Sequence, residues 1–81
     1  MAAQDIELKL SDWFLEETGA SFDPATNYLT SGEFDSFGVI NLITFAETTF
    51  DIRFSAEEFQ KAEFFTIAGL ARMIQEKRAH G

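Results

Sequence analysis

Few side chains in this 81-residue chain could do chemistry, and their positions exclude more reactions than they permit. Cysteine is absent, which removes a disulfide framework, a thiolate metal site and a cysteine nucleophile together; any thiol must be imported. The single histidine, His80, stands one residue from the last position, where chain ends rarely hold a ligand, so a histidine base or metal site is not expected. Adjacent acids such as Glu16-Glu17 and Glu57-Glu58 diverge by about 100° on a helix and cannot face one substrate. They read as solvated surface. Composition and periodicity alone stop at a small acidic helical bundle. Of Ser11, Ser21, Ser31, Ser36 and Ser55, only Ser36 follows an acid at the start of a long amphipathic segment, although Asp-Ser in that place is also an ordinary helix cap.

The elements that must position Ser36 are legible from periodicity. Ile6, Leu10, Trp13 and Phe14 recur at helical spacing from Ala3 to Thr18, with acids between or beside them, and Gly19 follows as a C-cap. Residues 20–35, with the only proline and no sustained period, predict a long loop with a helical turn after Asp23-Pro24, pinned by Phe22, Tyr28 and Leu29. Sixteen structureless residues are unusual in so small a domain, and such loops tend to be functional. The second helix is expected from Ser36 to Phe50, capped by Asp35, with Phe34 and Val39 spaced as a hydrophobic staple and Val39, Leu42, Ile43, Ala46 and Phe50 inward. The S-x-x-E run from Ser55 to Glu58 predicts a short third helix burying Phe59. A last helix is expected to start near Thr66, capped by that residue and stapled by Phe65 to Leu70, with Ile67, Leu70, Met73 and Ile74 inward and Lys77 and Arg78 at its negative end. The expectation is a single all-α domain over 1–81, four helices with one long first loop, and a frayed tail at 79–81.

Composition narrows the function classes. Hydrophobic residues make up 46% of the chain and ten are Phe, enough for a core and too many for a disordered tail. A domain this short buries only about 60% of its unfolded surface, which leaves little room for a deep, dry active site. The Phe residues are therefore expected to pack as core rather than line a cavity for a fatty chain. The net charge of −8 disfavours nucleic acid and anionic membrane and favours basic protein partners. Residues 5–51 hold ten acids with Lys9 as the only base, whereas residues 52–81 hold four acids and five bases. No run approaches the roughly 20 apolar residues of a membrane span, and MAAQDIELK has neither a basic leader nor an apolar core segment, so a cytoplasmic location without membrane insertion is expected.

The run Gly32-Glu33-Phe34-Asp35-Ser36-Phe37-Gly38 goes further, because it resembles the attachment motif of acyl, aminoacyl and peptidyl carrier proteins. The order of the predicted elements is similar to that family's over nearly the whole chain. The resemblance implies a four-helix acyl-carrier-like bundle and 4'-phosphopantetheine esterified to Ser36, with Asp35 as motif acid and cap. It also implies that a separate phosphopantetheinyl transferase, using coenzyme A and a divalent metal, supplies the catalysis. Elementary electrostatics agrees, since a helix start has unpaired N–H groups and a positive dipole end where a phosphodiester is favoured. On this reading the protein is a non-enzymatic monomeric carrier holding a small acyl or aminoacyl group as a thioester.

With the core stripe inward, Phe37, Ile40, Asn41, Thr44 and Thr48 fall on or near the outer face of the second helix, and Phe37 and Ile40 read as a docking patch for catalytic partners. Those implied by the resemblance are a loading ligase or adenylation enzyme and a downstream acyl transferase or condensing enzyme. The chain departs from fatty-acid-synthesis carriers, whose second helix is acidic, because Glu47 is the only acid between Ser36 and Phe50. The wording Asp35-Ser36-Phe37-Gly38 is closer to D-alanyl and stand-alone aminoacyl carriers, which implies specialised-metabolite or cell-envelope biosynthesis. Electrostatic steering is then left to the acids of Asp5 to Glu17, Glu33 and Asp35. The alternatives are a fatty-acid-type carrier and an unmodified helical adaptor that binds through Phe37 and Ile40.

Overall fold

The first helix, α1, spans Ala3–Thr18 and buries Ile6, Leu10 and Phe14 along one stripe. It stops at Gly19, whose φ of 75° is left-handed and whose N–H returns to the Leu15 carbonyl at 2.8 Å. Helix α2 spans Ser36–Phe50 and α3 spans Ile67–His80, and short 3-10 turns occupy Tyr28–Ser31, Glu58–Gln60 and Ala62–Phe65. These assignments come from a computed structural model that describes residues 2–32 and 34–80. Among the described residues there is no β-strand, only an isolated antiparallel bridge between Asn27 and Thr66. The chain is all-α.

Both α2 and α3 open on the caps that their sequences predict. Asp35 is extended and accepts the Gly38 N–H at 3.0 Å, and Thr66 Oγ1 accepts the Gly69 N–H at 3.0 Å. Inside α2, Leu42, Ala46 and Phe50 are buried, with Val39 and Ile43 packed against them from the rim. In α3, Ile67, Leu70, Ala71, Met73 and Ile74 are buried. Helix α3 runs on through Ala79 to His80.

The segment expected to form a third helix does not become an α-helix. Half of the capping box is present, with the Ser55 N–H donating to Glu58 Oε1 at 2.7 Å, but two 3-10 turns follow with Lys61 extended between them. The reason lies in ring spacing. Phe59 and Phe64 meet with centroids 5.2 Å apart, whereas residues five apart on an α-helix would diverge by about 140°. Breaking the helix brings both rings to Phe54, and Phe59 stays half-buried instead of entering the core fully.

The long loop is tied down by two of the three residues expected, Tyr28 and Phe22, and by a backbone bond to α3. Tyr28 is fully buried and its hydroxyl donates to the Phe64 carbonyl. The Pro24 carbonyl accepts the Ala68 N–H at 2.9 Å, so the loop is strapped to the start of α3. Phe22 packs from the rim, while Leu29 keeps 36% of its surface exposed and stands outside the buried cluster. The loop's helical turn sits at Tyr28–Ser31; at Asp23-Pro24 there is only a turn, closed by Thr26 N–H on the Asp23 carbonyl at 3.0 Å.

Helices α1 and α3 pack directly against each other, and α2 joins α1 through aromatic rings and α3 through Arg78. Phe45 of α2 stacks on Trp13 of α1 at 5.5 Å, and Phe14 meets Phe22, Tyr28 and Phe34 at 5.1, 5.0 and 4.7 Å. A second ring cluster joins Phe54, Phe59, Phe64 and Phe65. The basic end of α3 serves its neighbours. Arg78 donates to the Phe50 carbonyl at 2.6 Å, closing the end of α2, and Lys77 pairs with Glu58 at 2.8 Å.

Candidate functional site at the start of α2

Ser36 is the first residue of α2 and is exposed. The geometry around it follows from three neighbours. Gly32 has a φ of 79°, a left-handed turn that favours glycine, and it ends the 3-10 turn two residues before Phe34. Phe34 is buried in the aromatic core and anchors the approach to the helix. Asp35 takes up the Gly38 N–H, while the Val39 N–H bonds to the Asp35 carbonyl at 3.1 Å. Of the first-turn donors, this leaves the Ser36 and Phe37 N–H groups without a helical acceptor, beside an exposed hydroxyl. An anion joined to Ser36 would therefore meet free donors and the positive end of a 15-residue helix. Glu33, the remaining acid of the motif, lies outside the described residues.

The predicted outer face is outward. Phe37, Ile40, Asn41, Thr44 and Thr48 are all exposed, and Phe37 and Ile40 retain 76% and 60% of their accessible surface. From Ile40 through Thr44 to Phe37 the arc around α2 is about 60°. Phe37 is exceptional among the ten phenylalanines: the other nine are buried or packed against the core and touch another ring, and it does neither. Thr44 gives its hydroxyl to the Ile40 carbonyl at 3.1 Å, so it adds little polarity to this face.

Glu47, the only acid within α2, is engaged elsewhere. Its Oε2 accepts the Phe54 N–H at 3.0 Å and its Oε1 lies 3.5 Å from the Arg53 guanidinium. It fastens the link after α2 instead of charging the outer face. The link begins at Asp51, the only non-glycine residue among those described with positive φ, at 55°, followed by buried Ile52 whose N–H returns to Glu47.

Two surface grooves lie away from Ser36. One runs between the end of α2 and α3, walled by Thr44, Glu47, Arg53, Lys77 and Arg78; the other lies between α1 and α2, over Trp13 and Phe45 with Lys9, Asp12 and Glu16 at its edge. Two features escaped the sequence analysis. Leu8 and Leu15 are exposed at 60% and 48% on α1, one line seven residues apart that a stripe search for core residues passes over. Gly38 is the other, noted only as part of a motif. Among the described residues no helix is long and apolar enough to cross a membrane.

A scan against models of known protein families gives no match, and a search of curated proteins finds none that is similar.

Proposed function

We propose that this protein is a discrete carrier, modified at Ser36 with 4'-phosphopantetheine and loaded with a small acyl or aminoacyl group by other enzymes. The observation that carries the reading is the pairing of an exposed serine on the first turn of α2 with Phe37, the one phenylalanine turned away from the core. A residue that large is costly to leave in water, about 1.5–3 kcal/mol relative to burial, and its place beside the hydroxyl fits a surface that partners cover.

The chain's own residues do little chemistry in this scheme. Ser36 Oγ loses its proton and bonds to the phosphorus of coenzyme A that bears the pantetheine arm, and the nucleotide half departs; a phosphopantetheinyl transferase with a divalent metal catalyses that exchange. Asp35 holds the turn and offers the transferase a carboxylate. The Ser36 and Phe37 N–H groups and the helix dipole favour the resulting phosphodiester. When bound, the arm supplies the thiol that this cysteine-free chain lacks and holds its cargo as a thioester. Phe37 and Ile40 then present an apolar patch to the loading ligase or adenylation enzyme and to the acyl transferase or condensing enzyme that takes the cargo. Glu47 is occupied by Phe54 and Arg53, which supports contact through apolar surface over steering through α2.

The fold of the proposed family is a four-helix bundle. Here the 3-10 turns between Glu58 and Phe65 would stand in for its short third helix. The carrier is proposed to work as a monomer in the cytoplasm, in specialised-metabolite or cell-envelope biosynthesis. Intact mass after incubation with coenzyme A and a broad-specificity transferase tests the reading. Wild type should gain one phosphopantetheine and Ser36→Ala none. An unmodified wild type would leave the adaptor, binding through Phe37 and Ile40, as the better account.

A further inference from the structure

Gly38 is the residue on which the local geometry of the Ser36 turn converges. Its N–H is taken by Asp35 Oδ1 at 3.0 Å, and the edge of the Phe34 ring occupies the space a Cβ would need. A Cβ added at Gly38 would sit 2.6 Å from Phe34 Cε1 and 2.8 Å from Phe34 Cζ, where ordinary contact begins at 3.4 Å. The ring has little room to retreat. Phe34 keeps only 6% of its surface, and its ring is met by Phe14 at 4.7 Å, Tyr28 at 5.4 Å and Trp13 at 5.9 Å. The φ of Gly38 is not in the left-handed region, so conformational freedom does not require glycine here. Space does.

We infer that Gly38 is a positioning residue for modification: the Phe34 ring and the Asp35 carboxylate clamp it from two sides and thereby set how Ser36, which lies between Asp35 and Gly38 in the chain, is presented to the transferase. This rests on the proposed carrier function and deepens it. The clamp connects the attachment turn to α1 and the long loop through the rings around Phe34, so the core itself holds the serine's position. An alanine at 38 must displace either the ring or the first turn of α2 by roughly 1 Å, a misplacement large enough to slow a positioned reaction by tenfold or more.

The test measures phosphopantetheine transfer from coenzyme A by intact mass, with circular dichroism and a melting curve as folding controls. Wild type, Gly38→Ala, Phe34→Leu and Phe34→Leu/Gly38→Ala are compared at a temperature where each is folded. Folded Gly38→Ala should be modified about tenfold more slowly than wild type, and the double variant, in which leucine makes room for the new methyl, should match Phe34→Leu. A merely structural role would lower the melting temperature and leave the rate on folded protein unchanged. Rates equal to wild type in Gly38→Ala overturn the inference, as does a double variant slower than Phe34→Leu. That second comparison holds even if Gly38→Ala alone does not fold. Failure of wild type itself to be modified would instead sink the carrier reading.

Discussion

Asp35 illustrates how one carboxylate can serve a helix and a partner at once. As a cap it satisfies the Gly38 N–H, and removing such a cap typically costs about 1 kcal/mol. Under the proposed function the transferase also reads that acid, so Asp35→Ala should slow arm transfer by more than its small loss of melting temperature explains. Equal transfer rates for variant and wild type would leave Asp35 as a cap only. Tyr28 is the corresponding case in the core. Its buried hydroxyl supplies the Phe64 carbonyl, and Tyr28→Phe should cost about 1–2 kcal/mol by leaving that acceptor without its donor. Burial raises the phenol above its ordinary pKa of 10.0. The unfolded chain therefore releases this proton first as pH rises, and stability present below pH 10 should fall above it. Urea melts across that range should show a shallower alkaline loss for Tyr28→Phe than for wild type.

At the scale of elements, the ends of helices carry much of the specificity. The last carbonyls of α2 have no partner within the helix, and Arg78, 28 residues further on, donates to the Phe50 carbonyl at 2.6 Å. Arg78→Ala should destabilise the fold by about 1–2 kcal/mol, the loss of a charge-assisted bond to a helix terminus, and thermal melting measures it. Lys77 does comparable work on the 3-10 segment by pairing with Glu58. Burial alone would raise the Glu58 carboxyl, but hydrogen bonds from Lys77 and Ser55 bring it below its ordinary 4.5. A depressed carboxyl contributes stability above pH 4.5 that disappears as the pH falls through its folded value. Glu58→Gln should accordingly be less stable than wild type at pH 7 and should lose less on acidification. A variant whose acid limb parallels that of wild type would show that this pair contributes nothing to the pH dependence.

For the molecule as a whole, the division of surfaces is the consequential feature. Acids dominate the chain before α2, with Lys9 the only base up to residue 51, whereas the outer face of α2 is apolar and uncharged around Phe37 and Ile40. A partner that reads the apolar patch should bind with mild salt dependence, because salt screens mainly exposed charges. Ile40→Asp should then weaken loading by the cognate ligase while changing stability by no more than about 0.5 kcal/mol, as exposed substitutions usually do. Loading kinetics across a salt series, with circular dichroism as the folding control, separate the two surfaces. If loading collapses at raised ionic strength and tolerates Ile40→Asp, recognition lies with the acids of α1 and the loop.

The bounds of α1 and α2, the caps at Asp35 and Thr66 and the buried stripe of α3 were legible in the sequence because each rests on neighbours within a turn or two. The exposure of Phe37 and Ile40 followed from the same periodicity, since a helix that commits one stripe to a core commits the opposite stripe to water. Contacts distant in sequence were not legible. The S-x-x-E spacing described the local turn at Ser55 correctly, yet whether it grew into a helix depended on Phe54, Phe59 and Phe64 meeting in space. Lys77 and Arg78 looked like residues for the end of their own helix and instead serve Glu58 and Phe50, because long charged side chains reach whichever unpaired group the packing brings near. Gly38 looked like one letter of a motif, and only the closed ring cluster around Phe34 gives it a reason: a methyl group has nowhere to go. Local spacing decides which residues become helix and which side faces water, whereas ring-to-ring distances and the pairing of chain ends exist only once the helices have packed.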